Sequence, residues 1–371
     1  MKKIAVIGAN EPLEPFFKQV KALGYYIVGI AYEKGAVCKK YCDKFYPISF
    51  ADKDAVLEIC KQEKVNGITS FSLESALPTV IYVAQKMGLV SNTEECLHRL
   101  ENKFTMREAL NAAGISNPQY IIVSEVEELD SVNIPFPCIV KPVDSGGSQG
   151  VTKVGSLEEV KAAFIRALDY SREGKVIIEQ YIDGREFSVE YLSFNGRHVN
   201  IQITDKVTSG APYFVELQHH QPANLTDEQR QRICSLVESA LTALAVTNSP
   251  SHTEVKLNSK DELYVIEAGA RLGGDFITSD LVRLSTDYDL VKGAMELATG
   301  DFAIPAIENC HYSGILFYST LTPEIKKYID NQKEYPFIVE AVRNEVEIDE
   351  CKRNGDRNGY AIYQSNHKIE P

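Results

Sequence analysis

The stretch "HTEVKLNSKDELYVIEAGAR", residues 252–271, holds two extended runs around a polar turn. A turn tip at Lys260-Asp261 places Glu254 directly opposite Glu267 on one face of the ladder. Like charges in that relation destabilise a strand pair, so the arrangement asks for a cation. Lys256 falls on the same face by alternation and would do as a structural counterion. Facing carboxylates also suit a hard divalent ion such as Mg2+, which takes oxygen ligands. Upstream, "KPVDSGGSQGVTKV" sets Gly146, Gly147, Ser148 and Gly150 between two strand-like runs. A glycine-rich hairpin tip lets amide N–H groups approach phosphate oxygens without Cβ obstruction, although an ordinary flexible tip has the same composition. It is not a Walker loop, which joins a strand to a helix and carries Gly-Lys-Ser/Thr.

The elements that position these residues follow from the apolar spacing. "KKIAVIG" reads as a buried strand, "EPLEPFFKQVKALG" as a helix stopped at Gly24, and "YYIVGIAY" as strand again. Helix "DKDAVLEICKQEK", strand "VNGITSF", helix "SALPTVIYVAQKMG" and strand-like "LVSN" continue the alternation, which predicts a parallel sheet covered on both faces. The first turn, "GANEPLEP", has one glycine where a dinucleotide fingerprint needs three, which disfavours an NAD-dependent dehydrogenase. The helix start in "SLESALP", residues 72–78, could aim its positive end at a cleft.

A second unit begins near Asn102 with helix "KFTMREALNAAG", strand "NPQYIIVS" and short helix "SEVEELDSV". Strand, glycine-rich loop, strand and helix then follow in "FPCIVKPVDSGGSQGVTKVGSLEEVKAAFIRALDYS". Ser156 and Glu159 have capping-box spacing ahead of that helix. "KVIIEQYI", "REFSVEYLSF" and "RHVNIQITDK" are strand-like, with Asn195-Gly196 a two-residue hairpin turn. Helix "DEQRQRICSLVESALTALAV" and the carboxylate hairpin complete the unit. From about 301 a smaller region carries strand-like "GILFYST" and "FIVEAVRN". A length of 371 residues suits two or three compact units. The expected fold is α/β and α+β, with a parallel-sheet domain over 1–102, a two-part domain over 103–300 whose lid spans about 117–185, and a small C-terminal subdomain over 301–371.

The composition, 44% apolar and 25% charged, is that of an ordinary globular protein. A net charge of −13 works against nucleic acid as a partner, because such affinity rests on basic side chains. No run approaches the roughly 20 apolar residues of a membrane span, and "MKKIAVIGANEPLEPF" turns polar too early for a signal-peptide core. A cytoplasmic location is expected. The eight cysteines are scattered and mostly sit in apolar runs, so reduced core residues are expected.

Taken in order, Lys103, Lys141 beside the glycine loop, "EQYIDGRE" and the Glu254, Glu267, Arg271 set resemble the ATP-grasp superfamily of carboxylate–amine ligases. "SHTEVK" followed by "EAGARLGGD" is most similar to its amino-acid ligase and carbamoyl-phosphate-synthase-like branch. The resemblance covers about residues 1–300. It implies a parallel-sheet domain ahead of the grasp, then a lid and an antiparallel-sheet base. Under it, Lys103 and Lys141 neutralise ATP phosphates, and Gly146, Gly147, Ser148 and Gly150 cover the β- and γ-phosphates. Glu179, Gln180, Tyr181 and Ile182 line the adenine, while Glu186 accepts from the ribose hydroxyls. Glu254 and Glu267 hold one or two Mg2+ ions, with Mn2+ an admissible substitute. Arg271 stabilises the transferring phosphoryl group. One departure stands out: many relatives carry Asn two residues after the second glutamate, where this chain has Gly269, which puts the second ion in doubt.

The implied reaction forms an acyl phosphate and ADP from a carboxylate and ATP, and an amine then displaces phosphate. No Ser-His-Asp or Cys-His signature competes with this. The partners would be small-molecule carboxylate and amine substrates, an amino acid above all, and a homodimer is compatible. Glu216, His219 and His220 would meet an amino group, and the Gly273 and Gly274 amides a carboxylate. A carboxylase-type or glycinamide-ribonucleotide-type ligase stays open, as does a nucleotide-binding regulatory protein without turnover.

Overall fold

The first strand, β1 (Lys3–Ile7), and its neighbour β2 (Tyr26–Ile30) are short runs buried along nearly their whole length, as strands covered on both faces must be. Helix α1 (Glu14–Ala22) joins them, and β3 (Lys44–Tyr46), α2 (Lys53–Glu63), β4 (Gly67–Ser70), α3 (Leu77–Met87) and α4 (Glu94–Arg99) follow. The strands pair in parallel in the order β3-β2-β1-β4. Side-chain alternation divides the core. Ala5, Ile7, Val28 and Ile30 pack on α2 and α3, whereas Ile4, Val6 and Ile27 pack on α1 and on a helix at Leu290–Ala298 from much later in the chain. Gly67 admits that late helix, since a Cβ there would stand 2.5 Å from the Ala298 carbonyl oxygen. The stretch "LVSN" forms no strand. The computed structural model describes residues 1–131, 133–147 and 149–371.

Helix α5 (Lys103–Ala112), whose Asn102 cap accepts from the Thr105 N–H, leads into the lid. Strands β5 (Tyr120–Val123), β6 (Cys138–Pro142), β7 (Thr152–Val154) and β8 (Val176–Gln180) form an antiparallel sheet in the order β5-β8-β6-β7. Helix α6 (Leu157–Leu168) covers it through Val160, Ala163, Phe164 and Ala167. Two readings change here. "SEVEELDSV" is a 3-10 stretch over Val126–Ser131. The Ser156 hydroxyl makes no cap bond, and Glu159 accepts instead from the Gly155 N–H at 2.8 Å, so half of the expected capping box exists, shifted by one residue.

The base is an antiparallel sheet in the order β13-β12-β9-β10-β11-β14-β16-β15. It comprises β9 (Arg185–Phe194), β10 (Arg197–Thr208), β11 (Glu216–Gln221), β12 (Ser249–Leu257), β13 (Leu263–Gly269), β14 (Tyr312–Tyr318), β15 (Ile338–Arg343) and β16 (Gly359–Ser365). Helix α7 (Asp227–Ala243) lies between β11 and β12, and α8 (Val282–Thr286) and α9 (Leu290–Ala298) follow β13. Asn195 and Gly196, with φ of 52° and 74°, make the expected two-residue turn between β9 and β10. Phe187, Val189, Ile203 and Val255 face α7. The period of two then turns Glu186, Glu190, Lys206 and Glu254 to the other face, toward the lid. The region after 301 is not separate from this sheet: β14 pairs directly with β11.

Candidate functional site

Glu254 and Glu267 are Cα partners, as the hairpin reading expects, but the route differs. The tip is Asn258–Glu262 rather than a Lys260-Asp261 pair, with the Asn258 side chain accepting from the Lys260 and Glu262 N–H groups. A bulge at Ile266 absorbs the change, because Val255 pairs with Val265 while Glu254 pairs with Glu267. The bulge matters chemically. Val265 packs on the α7 side, so strict alternation would send Glu267 there too. Arg107 of α5, fully buried, donates to the Val265 and Ile266 carbonyls at 3.4 and 2.6 Å and so satisfies the interrupted ladder.

Between lid and base lies a cavity of about 160 Å³. Of the expected ATP-site residues, Lys103, Lys141, Gly146, Gly147, Glu179, Gln180, Tyr181, Ile182 and Glu186 line it, with Glu254 and Glu267. Ser148 lies outside the described residues. Gly150 turns away: a Cβ on it would meet Tyr170 at 3.0 Å and Pro142 at 3.2 Å, so its place is in the packing behind the flap. Gly147, with φ of 63° and open space around it, keeps the bare backbone expected of a phosphate flap.

Lys103 donates to the Ser145 carbonyl at 2.8 Å and to Glu267 at 3.3 Å, tying the flap base to the carboxylate hairpin. Glu179 is buried between Arg107 at 2.9 Å and Lys141 at 2.6 Å. Burial would raise its pKa, but Arg107 and then Lys141 outweigh that and hold it at about 2. Its side chain therefore positions Lys141, and the adenine strip is left to the backbone and to Tyr181, whose ring carries the Lys153 ammonium 3.7 Å from its centroid.

Lys206 was not singled out in the sequence. Its ammonium lies 2.7 Å from Glu254, 2.7 Å from Glu216 and 3.1 Å from Glu186. Lys256, the expected counterion, reaches Glu186 at 3.5 Å instead. His252 bonds Glu190 at 2.6 Å and stands 3.9 Å from Glu254. Burial lowers its pKa, yet Glu190 and then Glu254 raise it to about 9. Gly273 packs on this ring, since a Cβ there would stand 2.5 Å from His252 Nδ1.

Arg271 donates to Glu74 of the N-terminal domain at 2.8 Å, and its Nε is buried without a partner among the described residues. A Cβ on Gly269 would stand 3.4 Å from both Arg271 Nε and Glu74 Oε1, so this ion pair occupies the space that an Asn side chain would use. The "SLESALP" stretch reaches the cleft with Glu74, in a 3-10 turn over Glu74–Ala76, and with the first residues of α3, Leu77 and Pro78.

Beyond Lys206, Glu216, His219 and Asp275 converge, with their ligand atoms within 4.8 Å of one another. Arg357, from the C-terminal region, holds Asp275 through two bonds of 2.9 and 3.0 Å, and Asn354 accepts from the Glu216 N–H at 2.9 Å. Asp275 and Phe276 both adopt left-handed backbone, φ of 48° and 63°, ahead of a π-helical turn. Such strain persists where surrounding contacts over-determine it. His219 is fully buried and neither ring nitrogen has a hydrogen-bond partner among the described residues. His220 does not join this group. Alternation turns it to the other face, where it contacts Tyr363 at 2.8 Å and Gln218 at 2.9 Å. Burial pushes its pKa down to about 3.

The carboxylate pair fits Mg2+ by donor chemistry. Glu254 and Glu267 supply oxygen only, they face each other, and each already takes an ammonium as counterion, from Lys206 and Lys103. The Glu216, His219 and Asp275 group differs in that it offers a ring nitrogen beside its two carboxylates, a donor set less suited to Mg2+ than the all-oxygen pair.

Residues 134–280 match the family described as "ATP-grasp domain". An uncharacterized protein, y4rH, of Sinorhizobium fredii is 30% identical over 251 residues, 65% of this chain and 50% of that protein. Alanine–anticapsin ligase of Bacillus subtilis is 24% identical over 245 residues, 60% of this chain and 51% of that protein. The chain thus spans about half the length of these relatives. Among solved structures, the L-amino acid ligase of Bacillus licheniformis superposes with a TM-score of 0.82 at 23% identity, covering 99% of this chain and 94% of that one. Residues 134–280, which hold the flap and the opposed glutamates, carry an ATP-grasp domain, and the fold of nearly the whole chain is that of the L-amino acid ligase.

Proposed function

We propose that the chain is an ADP-forming ligase that activates a carboxylate as an acyl phosphate and joins it to an amine, with an amino acid as the favoured substrate. The observation that carries this reading is the meeting of Lys103, Lys141, the glycine flap and the Glu254 and Glu267 pair around one cavity. ATP would lie with its adenine along Tyr181 and Ile182 and its ribose at Glu186. Its phosphates would lie under Gly146 and Gly147, with Lys103 and Lys141 as point charges. Mg2+, when bound by Glu254 and Glu267, would supply neutralisation of the phosphate charge.

A substrate carboxylate oxygen attacks the γ-phosphorus, the bond to the β-phosphate oxygen breaks, and ADP leaves. Arg271, already oriented by Glu74, would stabilise the charge on the transferred group. An amine then attacks the acyl carbon, inorganic phosphate departs and the nitrogen sheds a proton. No protein nucleophile is needed, since positioning and electrostatics carry phosphoryl transfer. Glu216 and Asp275 would attract an ammonium, and His219, whose Nε2 stands 3.5 Å from Glu216 and 3.9 Å from Asp275, would accept the proton. The Gly273 and Gly274 amides would face the substrate carboxylate.

The all-oxygen ligand pair also admits Mn2+. Eight free cysteines support a reducing, cytoplasmic setting. No helix among the described residues is long and apolar enough to cross a membrane. The decisive test is a panel of amino-acid pairs with ATP and Mg2+, read as phosphate release and product mass. Phosphate release only on adding bicarbonate would move the reading to a carboxylase-type ligase. The Glu267→Gln variant should lose ADP formation while keeping its fold, and full activity in it would remove the metal assignment.

A further inference from the structure

Lys206 is a buried ammonium with three N–H donors and three carboxylate acceptors, from Glu254, Glu216 and Glu186. Each acceptor has a different task in the proposed ligase: metal, substrate amino group and ribose. The ammonium therefore stands where a cation bridging all three carboxylates would stand. Groups packed around it are Lys256, 3.5 Å from Glu186, and His252, 3.9 Å from Glu254. Three carboxylates against two ammonium groups leave one net negative charge. A site so nearly neutral offers little to a dication until phosphates bring further negative charge.

We propose that Lys206 is a tethered cation that keeps Glu254 from gathering a free divalent ion with Glu216 and Glu186, so that a metal joins Glu254 and Glu267 only together with nucleotide phosphates. The inference rests on the reading of Glu254 as a metal ligand and adds an order of binding to it. Its physical basis is that three carboxylate oxygens lie 2.7 to 3.1 Å from one point, a few tenths of an ångström beyond the roughly 2.3–2.6 Å of Ca2+–oxygen contacts, so small side-chain shifts would close them on a divalent ion once the ammonium is gone. Lys206 keeps those oxygens closed to free ions. It also keeps Glu216 from holding a metal where the substrate amino group belongs.

The test is Mn2+ binding, followed by electron paramagnetic resonance and calorimetry, to wild type, Lys206→Met and Lys206→Arg, each with and without ADP. Wild type should bind Mn2+ weakly alone and at least about tenfold more tightly with ADP. Lys206→Met should bind Mn2+ without nucleotide at least about tenfold more tightly than wild type does, because ligand charge sets such affinities. Adding Glu216→Gln to it should abolish the gain, and Lys206→Arg should behave as wild type. Mn2+ binding by wild type that ADP does not strengthen overturns the proposal, and this arm needs no variant to fold. If wild type binds Mn2+ with ADP but folded Lys206→Met gains no nucleotide-free site, the place-holder role fails and the nucleotide-site reading stands. If wild type binds no ADP with or without Mn2+, both fail together.

Discussion

Glu74 of the N-terminal domain accepts a hydrogen bond from Arg271 of the grasp domain at 2.8 Å, and the pair passes over the bare Cα of Gly269. This ion pair is the physical context of the missing Asn. A Cβ at 269 would still fit, at 3.4 Å from both partners, but the amide of an Asn would need the space the pair fills. Gly269→Asn should therefore lower ADP formation about 100- to 1,000-fold by displacing Arg271, the range for losing one oriented donor. Glu74→Gln should fall in the same range and leave ADP affinity within about threefold. Turnover near wild type in both variants would show that the pair does not orient the arginine.

Glu179 sits between Arg107 and Lys141 with a pKa of about 2, well below its ordinary value of 4.5. A depressed carboxylate contributes stability that is fully present above its unfolded pKa and lost as pH falls through the folded one. Glu179→Gln leaves two buried cations unpaired and should cost about 3–5 kcal/mol at neutral pH. That difference from wild type should shrink between pH 4.5 and pH 2. Urea midpoints of the two proteins across this interval measure it directly, and a pH-independent difference would contradict the assignment. Folded variant should also bind ADP more weakly, because Lys141 loses its orienting partner.

Local pattern carries the N-terminal parallel sheet, the β6–β7 flap and the Asn195-Gly196 turn into view from the sequence. Contacts set by bulges stay hidden. Counting strictly from the Asn195-Gly196 turn puts Asp205 opposite Glu186, a like-charge pair. The register shift at Ile201 brings Lys206 there instead. A second shift, at Ile266, restores the Glu254 and Glu267 pairing that a wrong turn length had reached by a simpler count. Arg107, Glu74 and Arg357 are single charges in helix or loop whose partners lie 72, 197 and 82 residues away. In one sequence such residues look like any solvated surface charge, and only tertiary packing distinguishes them.

His219 and His220 are neighbours in sequence that strand alternation sends to opposite faces, and substitution should separate them. His219→Asn should raise the KM for the amino-acid substrate or slow amide formation, because it removes a group that faces the substrate space. His220→Asn should leave turnover within about threefold, since its contacts are Tyr363 and Gln218. Stability should respond in the other direction. A histidine held neutral down to about pH 3 opposes folding once the unfolded chain binds a proton. Wild type should lose up to about 1.4 kcal/mol per pH unit below pH 6.5 on this account, and the His220→Asn variant should lack that component of the slope. Equal slopes in the two proteins would rule it out.

Arg357 grips Asp275 with two bonds while its guanidinium carbon stacks 3.7 Å from the Phe317 ring centroid. The C-terminal region thereby fixes the strained loop beside Glu216 and His219. A planar fork makes both bonds and a lysine can make only one, so Arg357→Lys should raise the KM for the acyl substrate roughly tenfold, with ADP affinity little changed. Deleting residues 301–371 should act differently. It removes β14, which pairs with the very strand that carries Glu216 and His219, and exposes the β11 edge of the five strands that remain. The truncated chain should be insoluble or unfolded by circular dichroism. A soluble, cooperatively melting truncation that still binds ADP would show that the region only supports the substrate end and that the sheet closes without it.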